Sequence, residues 1–456
     1  MKGGEVIGAG GFGCVFNPRI NCIDKSITRS DNIVSKMMLK KHATKEFNEL
    51  IKISKIIKET IPNYDKYFLL NNIDLCNPGT LTQEDLVHFD QKCSALNIEN
   101  ITSKNINNML DKVSILNMPY GGISLSKYFK NIWSNQHSFN KNFANINNLL
   151  IELLIKAIVP LNNAGISHFD LKSGNILYTN NELKIIDWGL SHIHNNVLPD
   201  NWSQHPVQHN IPFSAILLKN TSLDYIESFY KQFTQINDIN KPYINKILAT
   251  NLFHISNKQY DVGHGYSISY NIMIKIYKLF IGGDIEYADI NYKQAYLGVD
   301  EYVPSMFYIN IITDYLAASL DKYVKNGKFN RALYFKEVYC KNADIWGFIM
   351  VYFKILNLKS VNQDSILHNN LLTGILSIVF KYCYSPTYSN IPIPINKLIK
   401  DLQNLNINLG YVDVYSDKKF MSKYKTLSRR NRTKTKPRNR RKTKPRNKTK
   451  TKPRLK

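Results

Sequence analysis

The sequence lacks an apolar run long enough to span a membrane. Its most apolar windows, residues 345–356 and 371–380, are shorter than the roughly 18–20 uninterrupted apolar residues that a transmembrane helix needs. The first residues, MKGGEVIGAGG, also lack the apolar core of a signal peptide, and Lys2 stands where N-myristoylation needs glycine. We therefore expect no membrane span, no export signal and no lipid anchor at the N-terminus.

Cysteine is scarce, and no two cysteines form a Cys-x-x-Cys pair. Zinc knuckles use such short spacings, and small secreted domains pair their cysteines densely. The composition therefore argues against both classes and predicts free, mostly packed thiols in a reducing compartment. The six scattered residues are Cys14, Cys22, Cys76, Cys93, Cys340 and Cys383.

Acidic residues are few beside basic ones, 35 against 60, which gives a formal net charge of +25. Residues 429–456 contain none of the acids and 16 Lys and Arg, which leaves +9 for residues 1–428. A Thr-Lys-Pro-Arg unit starts at Thr435, Thr443 and Thr451. Like charge and repeated proline predict that residues 416–456 form a disordered basic tail.

The charge of this tail predicts non-specific binding to nucleic acid, attraction to anionic membrane, or nuclear import. A solvated tail without a function remains the alternative. The tail has no aromatic residue after Tyr424, which argues against base stacking.

The hydrophobic content of 43% is enough for a sizeable core, and its pattern changes along the chain. Before residue 119, short strand-like runs surround one helix-periodic segment at 43–58. Helical patterns dominate from about residue 145, and residues 148–163 form a strong helix candidate that should end near Gly165. The strand candidates are residues 6–7, 14–16, 32–38, 67–70 and 113–118.

A glycine-rich turn, IGAGGFGCV at residues 7–15, places Gly8, Gly10 and Gly13 between two strand-like runs. Glycine lets backbone N–H groups approach phosphate oxygens. A dinucleotide-binding turn would open a helix, whereas here a strand and then Pro18 follow. The pattern favours a phosphate-covering hairpin, with a plain glycine hairpin as the alternative.

Lys36 lies inside an apolar strand candidate, where an ammonium needs an anionic partner. Glu46 and Glu49 in the following helix are candidate partners. An exposed lysine on an edge strand is the competing interpretation.

Two later segments carry polar residues between apolar ones. HFDLKSGNIL, at 168–177, contains Asp170, Lys172 and Asn175, and LKIIDWGLS, at 183–191, contains Asp187. One Asp could accept a hydroxyl proton, the Asn and the second Asp could hold Mg²⁺, and the Lys could steady a phosphoryl group. His205 and His209 have helical spacing, but Pro206 between them favours a loop over a metal site.

The order of these motifs resembles the protein kinase superfamily, and most closely the divergent serine/threonine protein kinase-like proteins of large DNA viruses. GGFGCVFNP, VSKMM, MPYGGISL and HFDLKSGNIL carry the resemblance, over residues 5–215 and 340–410. It implies an α+β, bilobal protein-kinase-like fold. The small antiparallel β lobe would be residues 1–118, with an insert at about 71–112. The larger helical lobe would be 119–415, with an insertion at about 218–335.

The resemblance also implies a nucleotide site. Gly8, Gly10 and Gly13 would cover the ATP phosphates, and Lys36 would contact the α- and β-phosphates and pair with a helix glutamate. Glu49 is the preferred partner, because ten residues between Lys36 and Glu46 leave little room to end the strand and begin the helix. Met118 would lie at the back of the pocket, before a hinge at 119–120. The apolar residues that would line the pocket are Ile7, Val15, Val34 and Leu177.

For catalysis the resemblance implies Asp170 as the proton acceptor, Lys172 as a γ-phosphate contact, and Asn175 and Asp187 as Mg²⁺ ligands. Asp344, in a buried helix, would brace the catalytic loop. Lys172, two residues after Asp170, resembles serine/threonine rather than tyrosine kinases.

Departures from the family pattern are visible. Phe169 replaces the arginine that reads a phosphorylated activation segment, which implies that activity does not need that phosphorylation. Trp188 replaces the usual Phe. No Ala-Pro-Glu follows; the segment ends at Ile211-Pro212-Phe213-Ser214 without the Glu anchor.

The sequence therefore predicts an ATP- and Mg²⁺-dependent serine/threonine protein kinase acting on protein hydroxyls. The alternatives are a catalytically inactive kinase-fold scaffold and a small-molecule kinase. The expected location is the host cytoplasm, with virion packaging or nuclear import through the tail as further options.

Overall fold

The computed structural model describes residues 4–10, 12–23, 32–134, 136–233, 241–260, 271–276, 302–358 and 366–410. Across these residues the fold is α+β, with small antiparallel sheets and many helices. The described residues all belong to one compact unit, Met1–Tyr411. The predicted basic tail, 416–456, lies outside the described residues.

A five-stranded antiparallel sheet forms the N-terminal part, in the order β1-β2-β3-β5-β4. Its central strand, β3, is rich in apolar and β-branched residues, which favour a strand. The predicted strand at 67–70 is wrong, because this segment makes only a single bridge, Phe68 with Ile185. The five strands are β1 (Glu5–Gly10), β2 (Gly13–Asn17), β3 (Ile33–Leu39), β4 (Asp74–Cys76) and β5 (Val113–Pro119).

Side chains of β3 alternate between two cores, as the pleat requires. Met38 points toward helix α1 (Lys40–Thr60) and packs with Ala43 and Leu116. Met37 points to the opposite face. Lys36 and Met38 are two residues apart in β3, so their side chains lie on the same face of the sheet and Lys36 also faces α1. Helix α1 buries Ala43, Glu46, Leu50, Ile53, Ser54 and Ile57, a spacing of three or four residues that matches one helical face.

The predicted insert at 71–112 covers the other face of the sheet. Beyond β4, it contains α2 (Phe89–Lys92) and α3 (Ser94–Asn97) and buries apolar residues against β2 and β5. Two disulfides, Cys14–Cys93 and Cys22–Cys76, join it to the β2 region.

The prediction of free thiols is therefore wrong for four of the six cysteines and correct for buried Cys340 and Cys383. The paired cysteines are 79 and 54 residues apart in the sequence, so no short-spacing motif identifies the pairs. Packing of the insert on the sheet brings these sulfurs together.

Helices dominate after β5. The predicted helix at 148–163 is part of a longer one, in which α5 continues through a π-helical turn, Leu154–Ile158, into α6, and Gly165 follows with φ +78°. The helices after β5 include α4 (Leu125–Trp133), α5 (Gln136–Leu153), α6 (Val159–Asn163), α7 (Asn220–Phe233), α8 (Lys241–Tyr260), α9 (Tyr302–Tyr323), α10 (Arg331–Tyr334), α11 (Cys340–Met350), α12 (Phe353–Leu356), α13 (Ile366–Val379) and α14 (Ile395–Asn408).

Short strands beside these helices complete the fold. Strands β6, β8 and β9 form an antiparallel sheet that leads into the segment at 187, and β7 pairs with β10. A fourth sheet pairs β11 with β12. Their bounds are β6 (Ile123–Ser124), β7 (Ile166–Ser167), β8 (Ile176–Thr179), β9 (Glu182–Ile185), β10 (His192–Ile193), β11 (Val324–Lys325) and β12 (Lys328–Phe329).

One helical segment in the described part of the chain, Ser138–Asn163, has the length and apolar content of a membrane-crossing helix. Two thirds of its most apolar window, 67%, is buried within the protein. A buried core helix has the same composition, so this segment provides no clear membrane span.

Candidate active site

Lys36 lies at the centre of a buried ion-pair group. Its Nζ is 2.7 and 3.0 Å from the two carboxylate oxygens of Glu46 and 2.9 Å from Asp187 Oδ1. Lys36 and Glu46 are each less than 9% exposed, so little water screens their pair. The fold thus joins β3, α1 and the segment after β9 at one point.

The preferred partner Glu49 is wrong, because Glu46 makes the pair. Helix α1 begins at Lys40, directly after β3 ends at Leu39, so no intervening turn uses up residues. Ten residues are then enough for Lys36 to reach the first turns of the helix. Glu49 instead lies on the surface, 3.9 Å from Lys52.

Electrostatics differ among the three groups. Burial alone lowers the pKa of Lys36, but Asp187 and Glu46 outweigh it and raise the pKa above its ordinary value. The positive charge of Lys36 lowers the pKa of Asp187, whereas burial raises that of Glu46. Lys36 and Asp187 are therefore held in their charged forms, whereas burial makes the charged form of Glu46 less favourable.

Asp170 is almost fully buried and accepts hydrogen bonds from three side chains. Lys172 Nζ lies 3.0 and 2.9 Å from its two oxygens, Asn175 Nδ2 lies 2.9 Å from Oδ2, and Asn210 Nδ2 lies 2.9 Å from Oδ1. The carboxylate is thereby fixed in position and orientation. Asn210 comes from a segment 40 residues away, and no motif in the sequence identified it.

The backbone that carries Asp170 is held by Asp344 of helix α11. Asp344 is fully buried and accepts the N–H groups of His168 and Phe169, each at 2.8 Å, and the amide of Asn162 at 2.7 Å. Phe169 has φ +57°, an unfavourable conformation that these bonds maintain. Burial raises the pKa of Asp344, while His168 and the N–H donors oppose that shift. The sequence expectation that Asp344 braces this loop agrees with this geometry.

His168 connects the loop to the segment that ends in Asp187. Its Nδ1 accepts the N–H of Asp170 at 3.3 Å, so its proton is on Nε2, which donates to the carbonyl of Ile186 at 3.0 Å. Asp187 follows with φ +64°. This strained turn directs the carboxylate toward Lys36.

The residues expected around the nucleotide lie on the five-stranded sheet and on β8 of a second sheet. In the β1–β2 hairpin, Gly8 is opposite Val15 and Gly10 is opposite Gly13. Val34 is opposite Met118 in the β3–β5 pair, and Leu177 lies on β8, where it would collide with any side chain added at Gly121. Ile7, on β1, is 48% exposed.

Asn175 and Asp187 supply the oxygen ligands that Mg²⁺ prefers. Both hydrogen bonds of the Asn175 amide use Nδ2, toward the carbonyl and carboxylate of Asp170, so Oδ1 is its atom for a cation. Asp187 is 34% exposed, and its Oδ2 has no hydrogen-bond partner among the described residues. The donor set fits a magnesium ion.

Phe169 occupies the centre of a cluster of aromatic and histidine rings. Its ring lies 5.0 Å from Trp202 and 5.7 Å from His205, and Trp202 stacks on His205 at 4.5 Å. The rings of His192, His194 and Tyr339 also contact it. The segment 192–205 is therefore held by ring packing around Phe169.

The region without an Ala-Pro-Glu motif is also anchored by aromatic contacts. Phe213 lies 5.1 Å from Trp346 and 5.3 Å from Tyr384. Tyr315, from the predicted insertion, lies 5.7 Å from the same ring. This packing stabilises the segment that contains Asn210.

A scan against protein-family models finds no model that matches the chain. A search of curated proteins finds no significant match either. The chemistry of the site is therefore deduced from its own residues.

Proposed function

We propose that this protein is an ATP- and Mg²⁺-dependent serine/threonine protein kinase with a bilobal protein-kinase-like fold. The observation that carries the proposal is the meeting of Lys36, Glu46 and Asp187 within 3.0 Å, next to a loop that presents Asp170. Phosphoryl transfer by protein kinases needs a lysine–glutamate pair and a metal-binding aspartate in place together. Asp187 lies 151 positions from Lys36 in sequence, so the fold brings a distant segment to the lysine–glutamate pair.

On this proposal the glycine hairpin and Lys36 bind the triphosphate. Backbone N–H groups at Gly8, Gly10 and Gly13 provide donors without side-chain obstruction, and the Lys36 ammonium neutralises oxygens of the α- and β-phosphates. Glu46 keeps that ammonium in position. Magnesium, held by Asn175 and Asp187, would neutralise charge on the β- and γ-phosphates.

Asp170 would orient the substrate hydroxyl and accept its proton. Its three hydrogen-bond donors hold the carboxylate still, so the hydroxyl meets a preorganised acceptor. Lys172 would give up part of its ion pair with Asp170 and contact the γ-phosphate. The ring cluster around Phe169 supports a segment that keeps its conformation without phosphorylation.

The test compares the wild-type full chain with Asp170→Asn, using γ-labelled ATP, Mg²⁺ and generic basic and acidic proteins. We expect transfer to fall by at least about 100-fold, the usual contribution of a positioned proton acceptor. Asp111→Asn, at an exposed position, is the matched control and should retain activity. Unchanged transfer in Asp170→Asn would contradict the proposal.

The two alternatives give different results. An inactive scaffold would show no transfer in the wild type, and a thermal-shift titration would then tell whether it still binds Mg-ATP. A small-molecule kinase would label sugars or aminoglycosides and not peptides.

A further inference from the structure

The two disulfides of the insert lie in different environments. Cys14 and Cys93 are both fully buried among apolar residues. Cys22 and Cys76 are each 7% exposed, and N–H donors surround their sulfurs. Arg19 Nη2 lies 3.1 Å from Cys22 Sγ, and Asn117 Nδ2 lies 3.4 Å from Cys22 Sγ and 3.3 Å from Cys76 Sγ.

Arg19 is a buried cation without an anionic partner. It is 2% exposed, its Nε has no hydrogen-bond partner, and it makes no ion pair within the described ranges. A buried charge is costly unless it is paired, and a disulfide is neutral. A thiolate at Cys22 would supply the missing negative charge at hydrogen-bond distance.

Asn117 is oriented by the sheet. Its Oδ1 accepts the hydroxyl of Ser35 at 2.5 Å, and Ser35 Oγ in turn accepts the N–H of Ile20 at 3.0 Å. The amide nitrogen must therefore face the sulfurs. It can donate to either one in the reduced state.

The third polar group is the Asp74 carboxylate, which lies within 4.8 Å of both sulfurs. Its charge opposes a thiolate, but Arg19 donates a hydrogen bond to Cys22 Sγ at 3.1 Å. Arg19 also disfavours a metal ion on Cys22, Asp74 and Cys76. The arrangement thus favours thiol chemistry over metal binding.

We propose that Cys22–Cys76 is a site of thiol–disulfide exchange with a dithiol, and that Cys14–Cys93 is structural. A thiolate of the dithiol attacks Cys76 Sγ, the S–S bond breaks, and its electron pair stays on Cys22 Sγ beside Arg19. The second thiol of the dithiol then displaces Cys76, which takes up a proton. The dithiol becomes a cyclic disulfide, and its other proton goes to solvent.

The test is stepwise reduction of the folded full chain with dithiothreitol, followed by iodoacetamide labelling and mass spectrometry. We expect Cys22 and Cys76 to be labelled while Cys14 and Cys93 remain bonded. At pH 6 an ordinary thiol is mostly protonated, so we expect Cys22 to react about tenfold faster than Cys76. Simultaneous reduction of both disulfides in the folded chain would overturn the proposal.

Variants of Arg19 and Asp74 distinguish two reasons for fast labelling of Cys22: a stabilised thiolate and simple solvent exposure of the sulfur. Arg19→Gln should slow labelling of Cys22 about tenfold, whereas Arg19→Lys, which retains a cation, should preserve most of the rate. Asp74→Asn removes the negative charge near the sulfurs, so this variant should not slow the labelling of Cys22. If Arg19→Gln fails to fold, the wild-type ratio of Cys22 to Cys76 labelling decides, and a ratio of one would refute the role of Arg19.

Discussion

At the scale of single residues, the partner of Lys36 shows how one backbone detail determines a site. Glu46 and Glu49 both follow Lys36 in α1, but only Glu46 lies on the buried face with Ala43 and Leu50. Helical periodicity places Glu49 outside that face, because one residue turns the helix by about 100° and Glu49 directly precedes buried Leu50. The immediate start of α1 after β3 then brings Glu46 within reach.

Glu46→Gln and Glu49→Gln form a matched pair of variants. Loss of the Glu46 charge leaves the buried Lys36 ammonium with one carboxylate instead of two, so we expect about 1–3 kcal/mol lower stability and weaker Mg-ATP binding. The exposed pair of Glu49 with Lys52 contributes at most about 0.5 kcal/mol. Urea unfolding and an ATP thermal-shift titration measure both effects. Equal effects of the two substitutions would mean that the buried pair is unimportant.

At the scale of elements, the segment 192–205 is held by neutral histidines. Burial lowers the pKa of His194 to about 4 and that of His205 to about 4. His194 Nδ1 accepts the N–H of Asn196 at 2.9 Å, so its Nε2 proton faces the Ser167 hydroxyl at 3.0 Å. Protonation of His194 Nδ1 would place its N–H against the N–H of Asn196, so two donors would face each other.

This arrangement predicts acid sensitivity. The unfolded chain binds a proton at each histidine as the pH falls below about 6.5, whereas the folded chain binds it only near pH 4. Stability is therefore complete above pH 6.5 and lost as the pH falls. Each histidine should cost about 2 kcal/mol between pH 7.5 and pH 5.

His194→Gln tests this element, because glutamine keeps an amide donor but cannot be protonated. Urea unfolding at pH 7.5 and pH 5 should show a smaller loss for the variant than for the wild type. The carboxylates are common to both proteins, and their contributions cancel in the comparison. An identical pH dependence would show that the folded chain protonates His194 as readily as the unfolded chain, which would contradict a buried, neutral ring.

At the scale of the whole molecule, the excess positive charge and the candidate site occupy separate parts of the chain. Residues 429–456 hold 16 of the basic residues, whereas the candidate site residues lie between Ile7 and Asp344. Removal of 429–456 lowers the net charge from +25 to +9 without removing a site residue. A truncated chain should therefore lose most of the excess positive charge and keep the candidate site.

We expect the full chain to bind duplex DNA without sequence preference and to lose about 1,000-fold or more in affinity between 50 and 200 mM salt. A chain ending at residue 428 should lose most of this binding but retain the Mg-ATP thermal shift. Fluorescence anisotropy at several salt concentrations measures the slope. DNA binding of equal strength by the shortened chain would place the contact elsewhere.

The sequence alone was enough to predict features that depend on neighbouring residues. The glycine hairpin, helix α1, the β3 and β5 strands and the α6 terminus all follow from local periodicity and turn residues, and the structure contains them. The motif around Asp344 also predicted its buried helix. These features are local because backbone preferences and side-chain alternation act over a few residues.

Only the tertiary structure decided the long-range pairings. The disulfides, the choice of Glu46 and the Asn210–Asp170 hydrogen bond depend on how separate elements pack. The ring contacts around Phe169 and Phe213 depend on the same packing. No local pattern specifies such contacts, because burial and distance arise only when the sheet, the insert and the helices come together.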